Sequence, residues 1–281
     1  CQTGADTSDH IVWAKFTGAT WLGDGFYYSA YDAPEKGREI SAKNSVQKIY
    51  YHKMGTPQSA DELFYMNPTQ PLRFYGVSVD RDETAMMLTE SGMDNGNNLY
   101  VRDLKKPNSQ FIQMCADTRY LYAPVQTVDG KIYILTNAGA PKYRLMVADI
   151  ARPGFADWRE VVAESDDVLQ DVTFADDRMI LKYSKDNCTQ LYTYTVDGKR
   201  IGEIKLPTYG TASISGKRGS KEVFYDFTSY TIPNSVYCYD LATGKSTVLF
   251  TPNIKFRTQD YVTEMQFYTS KDGTRAPLFI T

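Results

Sequence analysis

The chain has 281 residues, of which 42% are hydrophobic and 14% aromatic, enough to bury a large core. Its net charge of −3 argues against a nucleic-acid or anionic-membrane partner. No apolar stretch reaches the roughly 18 residues of a membrane helix and no signal peptide is recognisable, so we expect a soluble protein.

Two strand patterns recur five times, and each pair is introduced by a turn rich in Asp, Gly or Ser. In chain order, the first strands of the pairs are predicted at 25–29, 85–88, 131–136, 178–183 and 222–227. The second strands are predicted at 48–52, 98–104, 144–150, 190–194 and 235–241, centred near residues 50, 100, 146, 192 and 237. The repeats are therefore 45 to 50 residues apart.

This period, with several short strands in each repeat, is typical of β-propeller blades. One blade buries little apolar surface alone, whereas stacked blades bury both faces, which explains the continuously apolar run at 132–135. We therefore predict an all-β propeller with about five visible blades of about four strands each.

The sequence leaves open the role of one segment and the secondary structure of another. Residues 32–44 are polar with Pro and Gly and are predicted to be a loop, either on a binding face or merely solvated. Residues 61–65 are compatible with a short helical turn or with a strand. The Asn-Gly pair within 94–98 is predicted to form a hairpin turn rather than a calcium loop, because the spaced carboxylates are missing.

The four cysteines, Cys1, Cys115, Cys188 and Cys238, are too widely spaced for a metal or redox motif and are interpreted as free thiols. Free thiols favour a reducing compartment, although the sequence leaves cytoplasm and periplasm both open. Cys1 is interpreted as a processing boundary in preference to the lipidated first residue of a lipoprotein.

Catalytic residues are scarce. The only histidines are His10 and His52, which are interpreted as surface or strand-end residues rather than general bases. No G-x-S-x-G nucleophile motif, no zinc-type His or Cys spacing and no phosphate-binding loop occurs. We expect no catalytic residue, no metal site and no cofactor in this chain.

Several stretches carry a more specific signal: 13–16 (Trp-Ala-Lys-Phe), 23–29, 31–37, 48–59, 140–145, 224–230 and 267–280. In their order along nearly the whole chain, they resemble the propeller of the prolyl oligopeptidases, a family of serine peptidases. The resemblance implies cleavage of short peptides after proline by a Ser, Asp and His carried on an α/β-hydrolase domain. It also implies a seven-bladed propeller whose central tunnel excludes folded proteins.

On this basis, residues 1–262 are expected to be a partial propeller and 263–281 the strand or hairpin that leads to a hydrolase domain absent from the sequence. The chain alone is then expected to be inactive, with short proline-containing peptides reaching the parent enzyme through that domain. About two N-terminal blades are also expected to be missing. The five repeats could stay an open arc, close into a smaller ring, or associate through exposed edges with another copy.

The resemblance also implies a substrate-lining role for three residues, Phe16, Phe74 and Met93, by their position. Phe16 lies in the matching Trp-x-Lys-Phe stretch, whereas Phe74 and Met93 stand where the family often has Met and Cys. An apolar lining suits a hydrophobic side chain of a peptide. The competing interpretation is ordinary blade core.

Two other functions stay open at this point. One is a stand-alone propeller that acts as a scaffold for a protein partner, and the other is a different enzyme with its site in the tunnel of a propeller. The scaffold interpretation predicts a gene that ends near Thr281. The second enzyme interpretation requires convergent carboxylates or histidines, and the scarcity of histidine argues against it.

Overall fold

The computed structural model describes Gly4 and residues 6–281, and Cys1 lies outside the described residues. The described chain contains 22 strands and three short 3-10 turns, at Gln58–Ala60, Phe155–Asp157 and Thr258–Asp260. Twenty strands form five four-stranded sheets whose strands follow the order of the chain. The remaining two strands pair as an antiparallel hairpin.

The strand bounds are as follows. The first sheet comprises β1 (Thr20–Leu22), β2 (Gly25–Ala30), β3 (Lys48–Lys53) and β4 (Glu62–Met66), and the second β5 (Phe74–Val79), β6 (Ala85–Ser91), β7 (Asn97–Asp103) and β8 (Ile112–Cys115). The third comprises β9 (Tyr122–Val128), β10 (Lys131–Thr136), β11 (Arg144–Asp149) and β12 (Arg159–Val162). The fourth comprises β13 (Val168–Ala175), β14 (Arg178–Lys185), β15 (Cys188–Thr195) and β16 (Arg200–Ile204), and the fifth β17 (Thr211–Ser215), β18 (Glu222–Thr228), β19 (Ser235–Asp240) and β20 (Lys245–Phe250). The hairpin comprises β21 (Glu264–Thr269) and β22 (Arg275–Ile280).

The predicted strand pairs are the two middle strands of each sheet, so the five predicted repeats are confirmed. Middle strands read as almost continuously apolar because both of their faces are buried, as in β10, where five consecutive residues are buried. Residues 32–44 form no strand or helix, as predicted. Residues 61–65 fall mostly in β4, which decides for a strand over a helical turn.

The predicted Asn-Gly hairpin turn is longer than a tight turn. Strand β6 ends at Ser91 and β7 begins at Asn97, so five residues connect them. By contrast, Asp129 and Gly130 alone connect β9 to β10, with φ angles of 49° and 74°. Two consecutive positive φ angles define the type I′ turn, whose twist matches that of the flanking strands.

The chain divides into two compact units, one running to Ala138 and including Val147–Arg159, the other comprising Gly139–Met146 and Glu160–Thr281. Each unit has its own buried cluster. In the first unit, Ile49 of the first sheet packs with Tyr75, Met86 and Leu88 of the second. In the second unit, residues of the fourth and fifth sheets pack together, among them Ile180, Leu191, Val223, Tyr225 and Phe227.

Among the described residues, Cys115, Cys188 and Cys238 are free thiols. Burial raises the pKa of the Cys115 thiol to about 12.

None of the helical turns in the described part of the chain has the length and apolarity needed to span a bilayer.

Candidate functional site

Phe16 and Phe74 form the centre of the candidate site. Phe16 lies in the segment that precedes β1, which we call segment 9–16, and Phe74 is the first residue of β5. Their ring centroids are 5.2 Å apart with an interplanar angle of 77°, an edge-to-face contact. Phe16 is 68% exposed, so its ring is open to a ligand. That exposure does not fit the alternative of ordinary blade core.

The buried side-chain amide of Gln47 links the backbone next to Phe16 to the backbone next to Phe74. Gln47 is fully buried; its Nε2 donates to the Lys15 carbonyl at 3.0 Å and its Oε1 accepts from the Tyr75 amide at 2.6 Å. Lys15 precedes Phe16 and Tyr75 follows Phe74. Because both bonds go to backbone atoms next to the rings, Gln47 fixes the distance between segment 9–16 and β5.

The backbone of segment 9–16 is itself unusual. Phe16 has a φ angle of 54° and Trp13 one of 60°, both in the left-handed region that bulky L-residues rarely adopt. The segment is connected to the first sheet by an isolated bridge between Ala14 and Ala30 and by the Tyr31 amide, which donates to the Trp13 carbonyl. Its path therefore depends on a few specific contacts.

Met93 lies in the β6–β7 connection, at the same end of the second sheet as the start of β5. Ser91, two residues earlier, is paired with Phe74 in the sheet register. Met93 is 93% exposed, so its thioether side chain is presented to solvent rather than to the core. The structure thus brings Phe16 and Phe74 into contact and places Met93 on the connection beside Phe74.

Arg73 ties this connection to β5. Its Nη1 donates to Asp94 Oδ2 at 2.7 Å, and its Nε lies 3.9 Å from Glu90 Oε1. The hydrogen bond from Arg73, helped by Thr118, lowers the pKa of Asp94 below its ordinary value. A Cβ atom at Gly92 would lie 2.6 Å from Arg73 Nη1, so a side chain there would displace the guanidinium from its present position.

Sequence reasoning missed Gln47, Arg73 and Glu90. Glu90 is buried near the end of β6, where it accepts hydrogen bonds from Asn98 Nδ2 and the Tyr100 hydroxyl. The available signals were an acidic residue two positions after the apolar run at 85–88 and an arginine immediately before an apolar strand. Neither signal identifies the partner, because the partners are set by how β5, β6 and β7 pair within the second sheet.

The interpretation of His52 as a surface residue is wrong. His52 lies near the end of β3, as the sequence indicated, but its side chain is fully buried between Asp9 and Asp61. Both ring nitrogens face carboxylates, so neither is directed at a nucleophile. His10 is exposed. Within Gly4 and residues 6–281, no group of three or more His, Cys, Asp or Glu side chains is arranged so that it could hold a metal ion.

The second unit contains a cavity that sequence reasoning did not find, with a volume of about 520 Å³. Three of its lining rings approach one another: Phe279 lies 6.1 Å from Tyr209 and 5.8 Å from Tyr230 between ring centroids. The hydroxyls of Thr211 and Ser229 belong to the same lining, which carries no charged side chain.

Comparison with known proteins gives a consistent result. A family model described as the prolyl oligopeptidase N-terminal beta-propeller domain matches residues 1–252. The prolyl endopeptidase of Elizabethkingia meningoseptica is 35% identical over 282 residues, which cover 100% of this chain and 40% of that protein. The prolyl endopeptidase of Dictyostelium discoideum is 29% identical over 98% of this chain and 40% of its own length. The chain thus spans about 40% of the curated relatives it matches.

Solved structures agree. A structure from a mechanistic study of two prolyl endopeptidases has a TM-score of 0.84 at 32% identity, covering 99% of this chain and 40% of that one. Prolyl oligopeptidase B from Galerina marginata, bound to a 35mer hydrolysis and macrocyclization substrate, has a TM-score of 0.87 over 99% of this chain and 40% of its own. At 24% identity, this second likeness shows the fold alone. The predicted β-propeller fold is confirmed.

Proposed function

The chain belongs to the prolyl oligopeptidase N-terminal β-propeller family, and on this ground we propose that it is the gating, substrate-selecting part of a serine peptidase that cleaves short peptides after proline. The relatives are peptidases, and one structural neighbour holds a peptide substrate. Because the chain matches only 40% of their length, we assign the chemistry of cleavage to residues outside it.

The observation that carries this proposal is the edge-to-face contact between the exposed Phe16 ring and the partly buried Phe74 ring. Covering the exposed Phe16 ring with an apolar group of a ligand would be favourable, because the aromatic surface would be removed from water. The Gln47 amide holds the backbone next to both rings, Met93 lies on the β6–β7 connection, and Arg73 bonds to Asp94 of that connection. This apolar surface suits a hydrophobic side chain of a peptide at a distance from the bond that is cut.

The domain assignment is part of the proposal. Residues 1–262 would be the propeller portion, and 263–281, which contain the β21–β22 hairpin, would lead to an α/β-hydrolase domain. The hairpin is a separate two-stranded sheet, which suits a connecting element. We also propose that β20, an outer strand whose six residues are all exposed, can associate with a second copy when nothing covers it.

The first test measures cleavage of a fluorogenic proline-containing peptide by the native-length gene product and, separately, by the 281-residue chain. We expect a native product longer by a hydrolase domain that cleaves after proline, and no cleavage by the chain. Cleavage by the chain alone would overturn the proposal. A native product ending near Thr281 that cleaves no peptide would instead favour a binding scaffold.

A second test addresses the three apolar residues in the native-length enzyme. Phe16→Ala removes an exposed ring that a bulky apolar side chain of the substrate would cover, so KM for such peptides should rise about tenfold with kcat nearly unchanged, as expected for a loss of about 1.4 kcal/mol of binding. Phe74→Ala and Met93→Ala should have the same direction of effect.

The matched control is Phe250→Ala, which removes an exposed ring from β20, in the other unit. Its KM should equal that of the wild type. Peptides with glycine at the distal position should show no effect of any of these substitutions. If Phe16→Ala leaves KM unchanged for every peptide, the assignment of Phe16 to the substrate surface is wrong.

A further inference from the structure

His52 is enclosed by two carboxylates. Its Nδ1 lies 2.7 Å from Asp61 Oδ1 and its Nε2 lies 3.1 Å from Asp9 Oδ1. The side chains are almost fully buried, with exposed fractions of 0% for His52, 2% for Asp61 and 8% for Asp9. A buried histidine between two buried carboxylates plays no part in the substrate surface described above, so it needs a separate explanation.

The hydrogen bonds of His52 and its two carboxylate partners determine the charge state of this histidine. An ionised carboxylate can only accept, so a ring nitrogen facing one must carry a proton. The Tyr28 hydroxyl accepts from Gln58 Nε2 at 3.2 Å and donates to Asp61 Oδ2 at 2.6 Å, and the Gly55 amide donates to Asp9. Both carboxylates are thus used as acceptors, and His52 satisfies them only as a doubly protonated imidazolium.

The same network holds one end of segment 9–16. Asp9 belongs to the segment, whereas His52, Gly55 and Asp61 belong to β3 and the β3–β4 connection. Next to it, the Gln58 side chain accepts from the Val12 amide at 2.9 Å and donates to the Val12 carbonyl at 3.1 Å. The segment then runs to Lys15, whose carbonyl is bound by Gln47 beside Phe16.

We propose that His52, as a buried imidazolium between Asp9 and Asp61, is a positioning residue that anchors segment 9–16 to the first sheet and thereby holds Phe16 against Phe74. The link to Phe16 as a substrate contact rests on the proposed function. The anchoring itself does not, because it is a property of this chain alone.

The charges around His52 support this assignment. Burial alone would lower the pKa of His52, but the hydrogen bonds with Asp61 and Asp9 outweigh it and raise the pKa above its ordinary value. The Gly55 amide, Thr7 and His52 together lower the pKa of Asp9 to about 2. The other groups against the network are Tyr28, whose buried hydroxyl has a raised pKa, and the uncharged Phe26 ring, centred 5.1 Å away.

The first arm of the test reads the charge of His52 by NMR in the 281-residue chain labelled with ¹⁵N-histidine. Only two histidines contribute, and His10→Gln assigns the pair. We expect both ring nitrogens of His52 to show the protonated signature at pH 8, and Asp9→Asn to lower the pH of its titration by about one unit or more. A neutral His52 at pH 8 would overturn the proposal.

The second arm reads the anchoring. Asp9→Asn should speed hydrogen exchange at the Val12 and Gly55 amides at least tenfold and weaken the NOEs between the Phe16 and Phe74 rings. The matched control is Asp32→Asn, which removes a carboxylate from the exposed ion pair with Lys48 of the same β3 strand and should change neither. Wild-type exchange and ring NOEs in Asp9→Asn would show that His52 does not position Phe16.

The third arm uses the native-length enzyme and peptides with a bulky apolar distal residue. Asp9→Asn should raise KM about as much as Phe16→Ala does, without lowering kcat, and Asp9→Glu should restore part of the loss. If Phe16→Ala raises KM and Asp9→Asn does not, the positioning role is wrong. If neither changes KM while the NMR results hold, the proposed role of Phe16 fails and the anchoring stands.

Discussion

Gln47 joins two backbone strands that the sequence separates by many residues. Its amide donates to the Lys15 carbonyl and accepts from the Tyr75 amide, and its side chain is fully removed from solvent. A single amide can satisfy both partners because it carries a donor and an acceptor at one end. A carboxylate or a hydrocarbon of similar size could satisfy one of them or neither.

We therefore expect Gln47→Leu to lower the free energy of unfolding by about 2–4 kcal/mol, because it leaves a buried carbonyl and a buried amide without partners. Urea unfolding measures this loss, and NOEs between Phe16 and Phe74 measure the looser ring contact. Gln110→Leu is the control, since Gln110 is exposed and bonds only to the nearby Asn108 carbonyl. Equal stability of the two variants would contradict this account.

The buried His52 network predicts a pH window for stability. His52 has a raised pKa in the folded protein. Its contribution to the free energy of unfolding is therefore fully present below the pKa of the unfolded state, and it is lost as the pH rises through the pKa of the folded state. For Asp9, with a pKa of about 2, the stabilisation is present above the unfolded pKa and is lost as pH falls through about 2. Both contributions are complete between about pH 4 and 6.5, from the ordinary pKa values of free Asp and His.

Asp9→Asn should therefore be most destabilising, relative to the wild type, at about pH 5–6, and the difference should shrink towards high pH as His52 loses its proton. Urea unfolding of both proteins across the pH range measures the difference. Asp32→Asn, in an exposed pair, should give a small difference throughout. A difference for Asp9→Asn that is the same at pH 5 and pH 10 would contradict the imidazolium.

At the scale of elements, the turns set the register of the sheets. Gly130 has a φ angle of 74° in the two-residue connection between β9 and β10, where the sheet pairs Val128 with Lys131. Gly130→Ala places a Cβ in the left-handed region and should cost about 1–2 kcal/mol in the free energy of unfolding. Thermal unfolding measures it as a lower Tm.

The control for this prediction is Gly154→Ala. Gly154 has a φ angle of −63°, and a Cβ built there meets nothing within 4 Å. Alanine at such a position restricts the unfolded chain without strain, so Tm should stay the same or rise slightly. A loss of stability as large as that of Gly130→Ala would show that the turn conformation is not the cause.

The elements were largely predictable from sequence because their signals are local. Turn residues before each apolar run fix where the strands begin, so β2, β10, β14 and β18 follow directly from the pattern. Strand β4 stayed ambiguous, since its partly exposed residues lack a clear alternation. The outer strands of the sheets have a weaker apolar sequence pattern in general, because fewer of their side chains are buried.

The site was less predictable because its contacts are not local. The position of Phe16 followed from a family resemblance, yet its edge contact with Phe74 depends on how the first two sheets pack. The burial of His52 depends on Asp9 and Asp61, which the sequence separates from it by 43 and 9 residues. No spacing rule joins such residues, because only the folded path of segment 9–16 brings them together.

At the scale of the whole molecule, β20 is an exposed outer strand. All six of its residues are exposed, and Val248, Leu249 and Phe250 retain 58%, 56% and 58% of their surface. An unpaired apolar edge favours pairing with another chain. Leu249→Lys should therefore reduce concentration-dependent association of the 281-residue chain, measured by sedimentation velocity.

The control is Leu72→Lys, which makes the same substitution at an exposed residue outside the strands. It should leave the association of the chain unchanged. If both variants sediment like the wild type at every concentration, the β20 edge does not drive association.

The left-handed backbone at Trp13 and Phe16 has a further consequence. Each bulky residue there costs about 1–2 kcal/mol, so segment 9–16 stores conformational strain that its contacts with the first sheet and with Gln47 sustain. Loss of either the Asp9–His52 contact or the Gln47–Lys15 hydrogen bond lets the strained backbone relax. This relaxation weakens the contact at the other end of the segment. The segment should therefore detach in one cooperative step, with Trp13 fluorescence as its built-in reporter, rather than fray gradually from one end.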